Sequence, residues 1–228
     1  MDLLEGIATT RSIRRYTDEP VTDEQLRTVM FAASRAPSGS NRQPFRFIVL
    51  RDGTRARQVR QLLTEAAQQM WAHKKQEDSY DKGSGVDPDS PKARMARTMA
   101  HYADHLGESP VVVLACLIRY RRPDPHEGAS VYPACQNLLL AARAIGLGGV
   151  LTQIQMFAEP QIREALAIPE GVGIHATITL GHPAGGHGPV RRRPLDELVY
   201  EDAWDNPTTW AIDPEGTRFT TAGPPPAM

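Results

Sequence analysis

The 228-residue sequence is poor in the features that mark several protein classes. It holds two cysteines, Cys116 and Cys135, each inside an apolar run (VVVLACLI and YPACQNLLLAA), and no CxxC pair. That excludes a disulfide framework, and two small buried thiols suit a reducing compartment. Neither sign of charge predominates: 26 Lys+Arg against 27 Asp+Glu leave a formal net charge of -1, so no global excess argues for nucleic acid or for an acidic solvating tail. Long hydrophobic runs are missing too. Val111 to Ile118 is the longest strongly apolar stretch and is too short to cross a bilayer. The N-terminal MDLLEGIATTRSIRRY carries Asp2 and Glu5 and does not read as a signal peptide, so the protein is expected to be cytoplasmic. HExxH, GxSxG, a Walker loop and the GxGxxG order are all absent. His101 and His105 stand four apart with no third ligand in view; they read as a structural pair, and no metal is expected.

What is present is ordinary globular material. The chain is 40% apolar and 23% charged, enough to bury a core, and its length suits one domain with arms. Thr22 with Gln25 resembles a capping box, and Leu26, Val29, Met30 and Ala33 follow at helical spacing until Pro37. RFIVLRD (46–52) reads as a strand, and Thr54 opens a second helix. Residues 73–94 are polar and rich in Gly and Pro, and are expected to form a long loop before a short helix at about 93–106. PVVVLACLI reads as a fully buried strand. Ser130 is expected to cap the helix VYPACQNLLLAARAIGL, with Gly146 and Gly148 ending it. The centre of that helix, Leu138 to Ala142, is apolar on every side, which means deep burial or a subunit interface. A short helix at 159–168 and an alternating strand at 172–183 follow, and Trp71, Trp204 and Trp210 read as packing residues. The sum is an α+β chain with a four- or five-stranded sheet.

Four stretches carry candidate chemistry. TTRSIRRY (9–16) places Arg11, Ser12, Arg14 and Arg15 within five residues, cations and a hydroxyl suited to a phosphate, or else a solvated basic face. RRRP (191–194) follows a Gly-rich turn; in extended chain Arg192 faces away from Arg191 and Arg193, either to clamp an anion or as surface charge. SRAPSGSNRQPF (34–45) crowds Pro37, Ser38, Gly39, Ser40, Asn41 and Gln43 between a helix and a strand. Small residues let a ring approach the backbone, and paired amides suit a heterocycle edge such as the pyrimidine of a flavin; the alternative is ordinary turn chemistry. GLGGVLTQ (146–153) offers a flexible backbone entering a bend, where free N–H groups can point into a site.

In order along the chain, RSIRRY, APSGSNRQPFRFIVL, PVVVLA, GLGGVLTQ and LGHP followed by RRRPLDELV resemble the FMN-dependent nitroreductase family, over about residues 5 to 205. The shapes of RSIRR and RRRPLDEL are closer to the branch containing iodotyrosine deiodinases and mycobacterial nitroreductase-like proteins than to the enterobacterial type. The resemblance implies an intertwined homodimer with a central, mostly antiparallel sheet surrounded by helices and one FMN per subunit at the interface. By position, Arg11, Ser12, Arg14, Arg15 and Arg192 would hold the phosphate and adjoining flavin edge. Residues 37–41 and Gln43 would come from the other subunit, and Leu151, Thr152 and Gln153 would lie by the flavin N5 side. Residues 1–205 would form one FMN-binding domain with 73–108 as a lid or insert, and 206–228 a Pro-rich tail. The implied activity is oxidation of NAD(P)H and reduction of a small acceptor such as a nitroaromatic or quinone by ping-pong kinetics, with no catalytic side chain. A flavin store, a dehalogenase and a biosynthetic oxidase are alternatives on the same scaffold. No nucleic acid or membrane partner is implied.

Overall fold

The computed structural model describes residues 1–220. Six helices surround one four-stranded sheet: α1 (Leu3–Thr9), α2 (Asp23–Ser34), β1 (Phe45–Leu50), α3 (Thr54–Glu77), α4 (Pro91–His105), β2 (Val111–Ile118), α5 (Tyr132–Ala144), β3 (Gly148–Thr152), α6 (Glu159–Leu166) and β4 (Val172–Gly181). The strand order is β1-β2-β4-β3 and every pair is antiparallel.

β2 explains why its sequence is apolar at every position. Val111, Val113, Ala115 and Leu117 join one core with α2 and α5; Val112, Leu114 and Cys116 join a second with α3, α4 and α6. A strand covered on both faces has no position left for a polar alternation. The first helix of the pattern is built as its residues dictate: the Thr22 hydroxyl accepts from the Gln25 N–H at 3.2 Å and the Gln25 side chain accepts from the Thr22 N–H at 2.9 Å. Caps of this kind stabilise by about 1 kcal/mol. On the second face Arg60, in α3, ties the sheet to the turn after α4. Its guanidinium donates to the carbonyls of Leu50 (2.9 Å), Gly107 (3.1 Å), Ser109 (2.8 Å) and Pro110 (3.1 Å).

The structure departs from expectation in four places. The loop expected at 73–94 shrinks, because α3 continues to Glu77 and α4 begins at Pro91. The Lys74–Asp78 pair at 2.7 Å and the edge-on packing of Trp71 on Tyr80 at 5.0 Å hold the extra turns. Ser130 does not cap α5; its hydroxyl accepts from the Gly39 N–H instead, at 3.3 Å. Gly146 does end that helix, at φ 83°, but Gly148 opens β3. Trp71 is buried as expected, whereas Trp204 and Trp210 are 89% and 62% exposed and pack no core within this chain. Both cysteines are buried. Among the described residues no helix is long and apolar enough to cross a membrane.

Candidate functional site

The 9–17 segment is held as a strand-like ribbon at one end of the sheet. Ile13 N–H donates to the Gly149 carbonyl (2.9 Å) and Thr17 N–H to that of His182 (2.9 Å). Ala184 N–H returns a bond to the Arg15 carbonyl, and Gly188 and Val190 donate to Thr9 and Ala8. Ile13 is the buried anchor. It lies so close to Gly148 that a Cβ there would sit 2.6 Å from Ile13 Cγ1. Tyr16 locks the ribbon, its hydroxyl lying 2.8 Å from the Ile13 carbonyl and 2.7 Å from Thr179 Oγ1. Burial drives that phenol far above its ordinary pKa, so it stays protonated and able to donate.

This anchoring leaves Arg11 and Ser12 exposed, with no side-chain partner among the described residues. The Arg11 N–H donates to His187 Nδ1 (3.3 Å), while His187 Nε2 lies 3.3 Å from the Leu147 carbonyl. Burial first, and the cations Arg143 and Arg11 after it, hold that imidazole below its usual pKa, against the Leu147 hydrogen bond. A neutral ring with its proton on Nε2 satisfies both contacts. Arg192 is exposed two residues beyond the paired stretch; its guanidinium donates to the Arg191 carbonyl at 2.9 Å, and Arg193 pairs with Glu197 at 2.7 Å. Arg14 and Arg15 turn toward α4 and line a separate cleft with His101 and His105.

The 37–43 loop is unusual in its backbone. Ser40, Asn41 and Gln43 all have left-handed φ, at 52°, 51° and 48°. Asn adopts this region readily, but for Ser and Gln it costs about 1–3 kcal/mol each, and such strain gathers at functional sites. The Gln43 N–H donates to Ser38 Oγ (2.9 Å), and the Gln43 amide donates to Asn41 Oδ1 (3.2 Å), so the two amides are presented together on an exposed surface. Leu151 and Thr152 lie half-buried at the end of β3, which pairs with β4 on one side and accepts the Ile13 N–H at Gly149, and the exposed Gln153 amide donates to Tyr132 Oη (3.1 Å). Tyr132, His175 and Glu127 back this end of the sheet. Their weight was not legible in the sequence, because each stands alone in an ordinary run. Tyr16 ends RSIRRY, where nothing in the residue pattern marks it as an anchor.

One chain does not bring all these groups together. The loop enters β1 beside Ile118, which pairs with Val172 at the start of β4, whereas the Arg11 ribbon crosses the far end, beside Gly181. Nine residues of β4 separate the two, about 30 Å at 3.3 Å per residue.

An antiparallel α+β domain with an exposed arginine and serine at one end of its sheet and strained amides at the other is the class that these observations define. The chain belongs to the nitroreductase family, whose model matches residues 7–182. A Thermus thermophilus NADH dehydrogenase is 30% identical over 200 residues, covering 83% of this chain and 90% of that protein. Rat iodotyrosine deiodinase 1 is 25% identical over 207 residues, covering 87% of this chain and 68% of that protein. A protein from Desulfovibrio desulfuricans, solved in complex with FMN, superposes with a TM-score of 0.64 at 32% identity, over 90% of this chain and 98% of that one.

Proposed function

We propose that the protein is an FMN-dependent oxidoreductase that oxidises NAD(P)H and reduces a small organic acceptor such as a nitroaromatic or a quinone, working as a homodimer with one FMN per subunit. The single observation carrying this reading is the separation of complementary groups by about 30 Å in one chain, in a protein similar to an FMN complex over nearly its whole length. Two copies related by a two-fold axis put the Arg11 end of one beside the 37–43 loop of the other. The donor set fits the cofactor. Arg11, Ser12 and Arg192 supply forked cations and a hydroxyl for a phosphate, and Arg14 and Arg15 add positive field. The loop of the second copy offers the Asn41 and Gln43 amides to a ring edge of mixed donors and acceptors, while Pro37, Ser38, Gly39 and Ser40 keep its backbone low against the ring. Main-chain N–H groups of Leu151, Thr152 and Gln153 would donate to ring heteroatoms. When bound, FMN would supply the two-electron redox chemistry that couples oxidation of NAD(P)H to reduction of the acceptor, the two substrates using one site in turn. The chain's own task is to hold and orient, and no side chain is asked to act as nucleophile.

The purified protein is expected to be yellow and dimeric. Anaerobic mixing with NADH or NADPH should bleach the flavin promptly, and a nitroaromatic or quinone should restore it, with parallel double-reciprocal lines in steady state. A colourless protein that takes up no FMN from excess would end this reading; a yellow one that neither donor bleaches would be a flavin store.

A further inference from the structure

A polar cleft of about 270 Å³ opens between the Arg14–Asp18 stretch and the end of α4. Its lining includes Arg14, Arg15, Thr17, Asp18, His101 and Ser109. Three of its cationic or donor groups are unused. Arg14 Nε is buried without a hydrogen-bond partner, and neither Arg15 nor His101 makes a hydrogen bond through its side chain among the described residues. The other histidine is committed, since His105 Nδ1 lies 2.8 Å from Glu108 Oε2, and that pair also occupies one of the two carboxylates. The remaining carboxylate is Asp18. Desolvation first, then Arg15 and His105, holds the His101 imidazole below its ordinary pKa, against Glu108 and Asp104. A guanidinium carries five N–H donors, so arginines that lend field to a flavin phosphate keep edges free for a second anion.

From this arrangement we infer that the cleft is a second anion site, separate from that of the flavin, which takes the 2′-phosphate of NADPH. Two arginine forks, an imidazole N–H and the Thr17 hydroxyl suit a tetrahedral dianion better than a planar carboxylate. The location suits the donor: the cleft begins three residues along the extended ribbon from Arg11, about 10 Å, beside the groups proposed to hold the flavin. The identity of the donor rests on the oxidoreductase reading; the phosphate site does not.

The test titrates the FMN-loaded protein, or the protein as purified if it holds no flavin, with 2′,5′-ADP, 5′-AMP and inorganic phosphate. 2′,5′-ADP should bind at least about tenfold tighter than either of the others. Arg15→Gln should cost it about tenfold, and Asp18→Asn, which removes the opposing charge, should tighten it about threefold and lower the KM for NADPH but not for NADH. A gain from Asp18→Asn is not what loss of a structural contact produces. Equal binding of the two nucleotides, inorganic phosphate as tight as 2′,5′-ADP, no response to Asp18→Asn, or displacement of FMN by 2′,5′-ADP would each overturn the assignment. A flavin bleached equally well by NADH and NADPH would end this inference and leave the oxidoreductase standing. A colourless protein would end the latter while the titration still decides the former.

Discussion

Substituting Gly148 by alanine tests whether the ribbon carrying Arg11 and Ser12 is positioned by packing against the edge strand. The φ of Gly148 is not in the left-handed region, so the cost is steric alone. The new Cβ would lie 2.6 Å from Ile13 Cγ1, 2.9 Å from its Cβ and 3.2 Å from its Cγ2. Ile13 is buried and its N–H is tied to the Gly149 carbonyl, so the side chain has nowhere to retreat without moving the ribbon. Overpacking of this kind costs about 1–3 kcal/mol, and loss of the backbone hydrogen bond adds about 0.5–1.5 kcal/mol. The sum, about 1.5–4.5 kcal/mol, should appear as a lower urea midpoint at unchanged slope. If the ribbon shifts to relieve the clash, the FMN dissociation constant, read by flavin fluorescence, should rise by at least about tenfold. In a double-mutant cycle with Ile13→Ala the two changes should couple favourably, by about 1 kcal/mol or more. A Gly148→Ala protein with the parental midpoint and flavin affinity would refute the reasoning.

Replacing Arg60 by methionine strips the charge-assisted donors from four carbonyls and should lower stability by about 2–4 kcal/mol, read by urea unfolding. Tyr102 has its pKa pushed up to about 12 by burial, so its contribution is complete below the unfolded value near 10 and is lost as pH rises toward 12; Tyr102→Phe should flatten that part of the stability profile. Arg192→Ala should release FMN on dialysis while leaving the circular dichroism spectrum and urea midpoint near those of the parent, since the side chain is exposed and, among the described residues, bonds only its neighbour's carbonyl; full flavin occupancy would remove Arg192 from the site.

Much of the fold was legible because its signals are local. The Thr22–Gln25 box, the break at Pro37 and the unbroken apolar run of β2 each follow from a few adjacent residues. The failures share a cause. α3 runs past Trp71 into polar sequence because Trp71 packs on Tyr80 nine residues on, a contact that apolar periodicity does not reveal, and Ser130 abandons its cap for the Gly39 N–H ninety-one residues away, a contact that no window of sequence contains. The candidate site divides the same way. Arg11, Ser12 and the 37–43 loop announce themselves by residue type. The anchors that aim them, Ile13 against Gly148 and Tyr16 against Thr179, look like any strand residues until the register is known.

The proposed two-chain site has its own consequence. Leu3 and Phe31 are exposed and line an apolar groove together with Leu140, Ala141 and Ala144 of α5, which is where the all-round apolar character of that helix reaches the surface. Phe31 is 64% exposed, and its one notable contact is the Arg35 guanidinium 4.9 Å from its ring. In a lone chain Phe31→Asp is a surface change worth at most about 0.5 kcal/mol. Across a two-fold axis it would bury a carboxylate against apolar surface, at a cost of several kcal/mol. The variant should therefore sediment as a folded monomer and lose its yellow colour, although Phe31 belongs to none of the flavin-holding stretches. Raising the protein concentration together with FMN should restore dimer and colour in step. A Phe31→Asp monomer that keeps its flavin would mean that one chain holds the cofactor alone, and the geometry of β4 would have to be bridged in some other way.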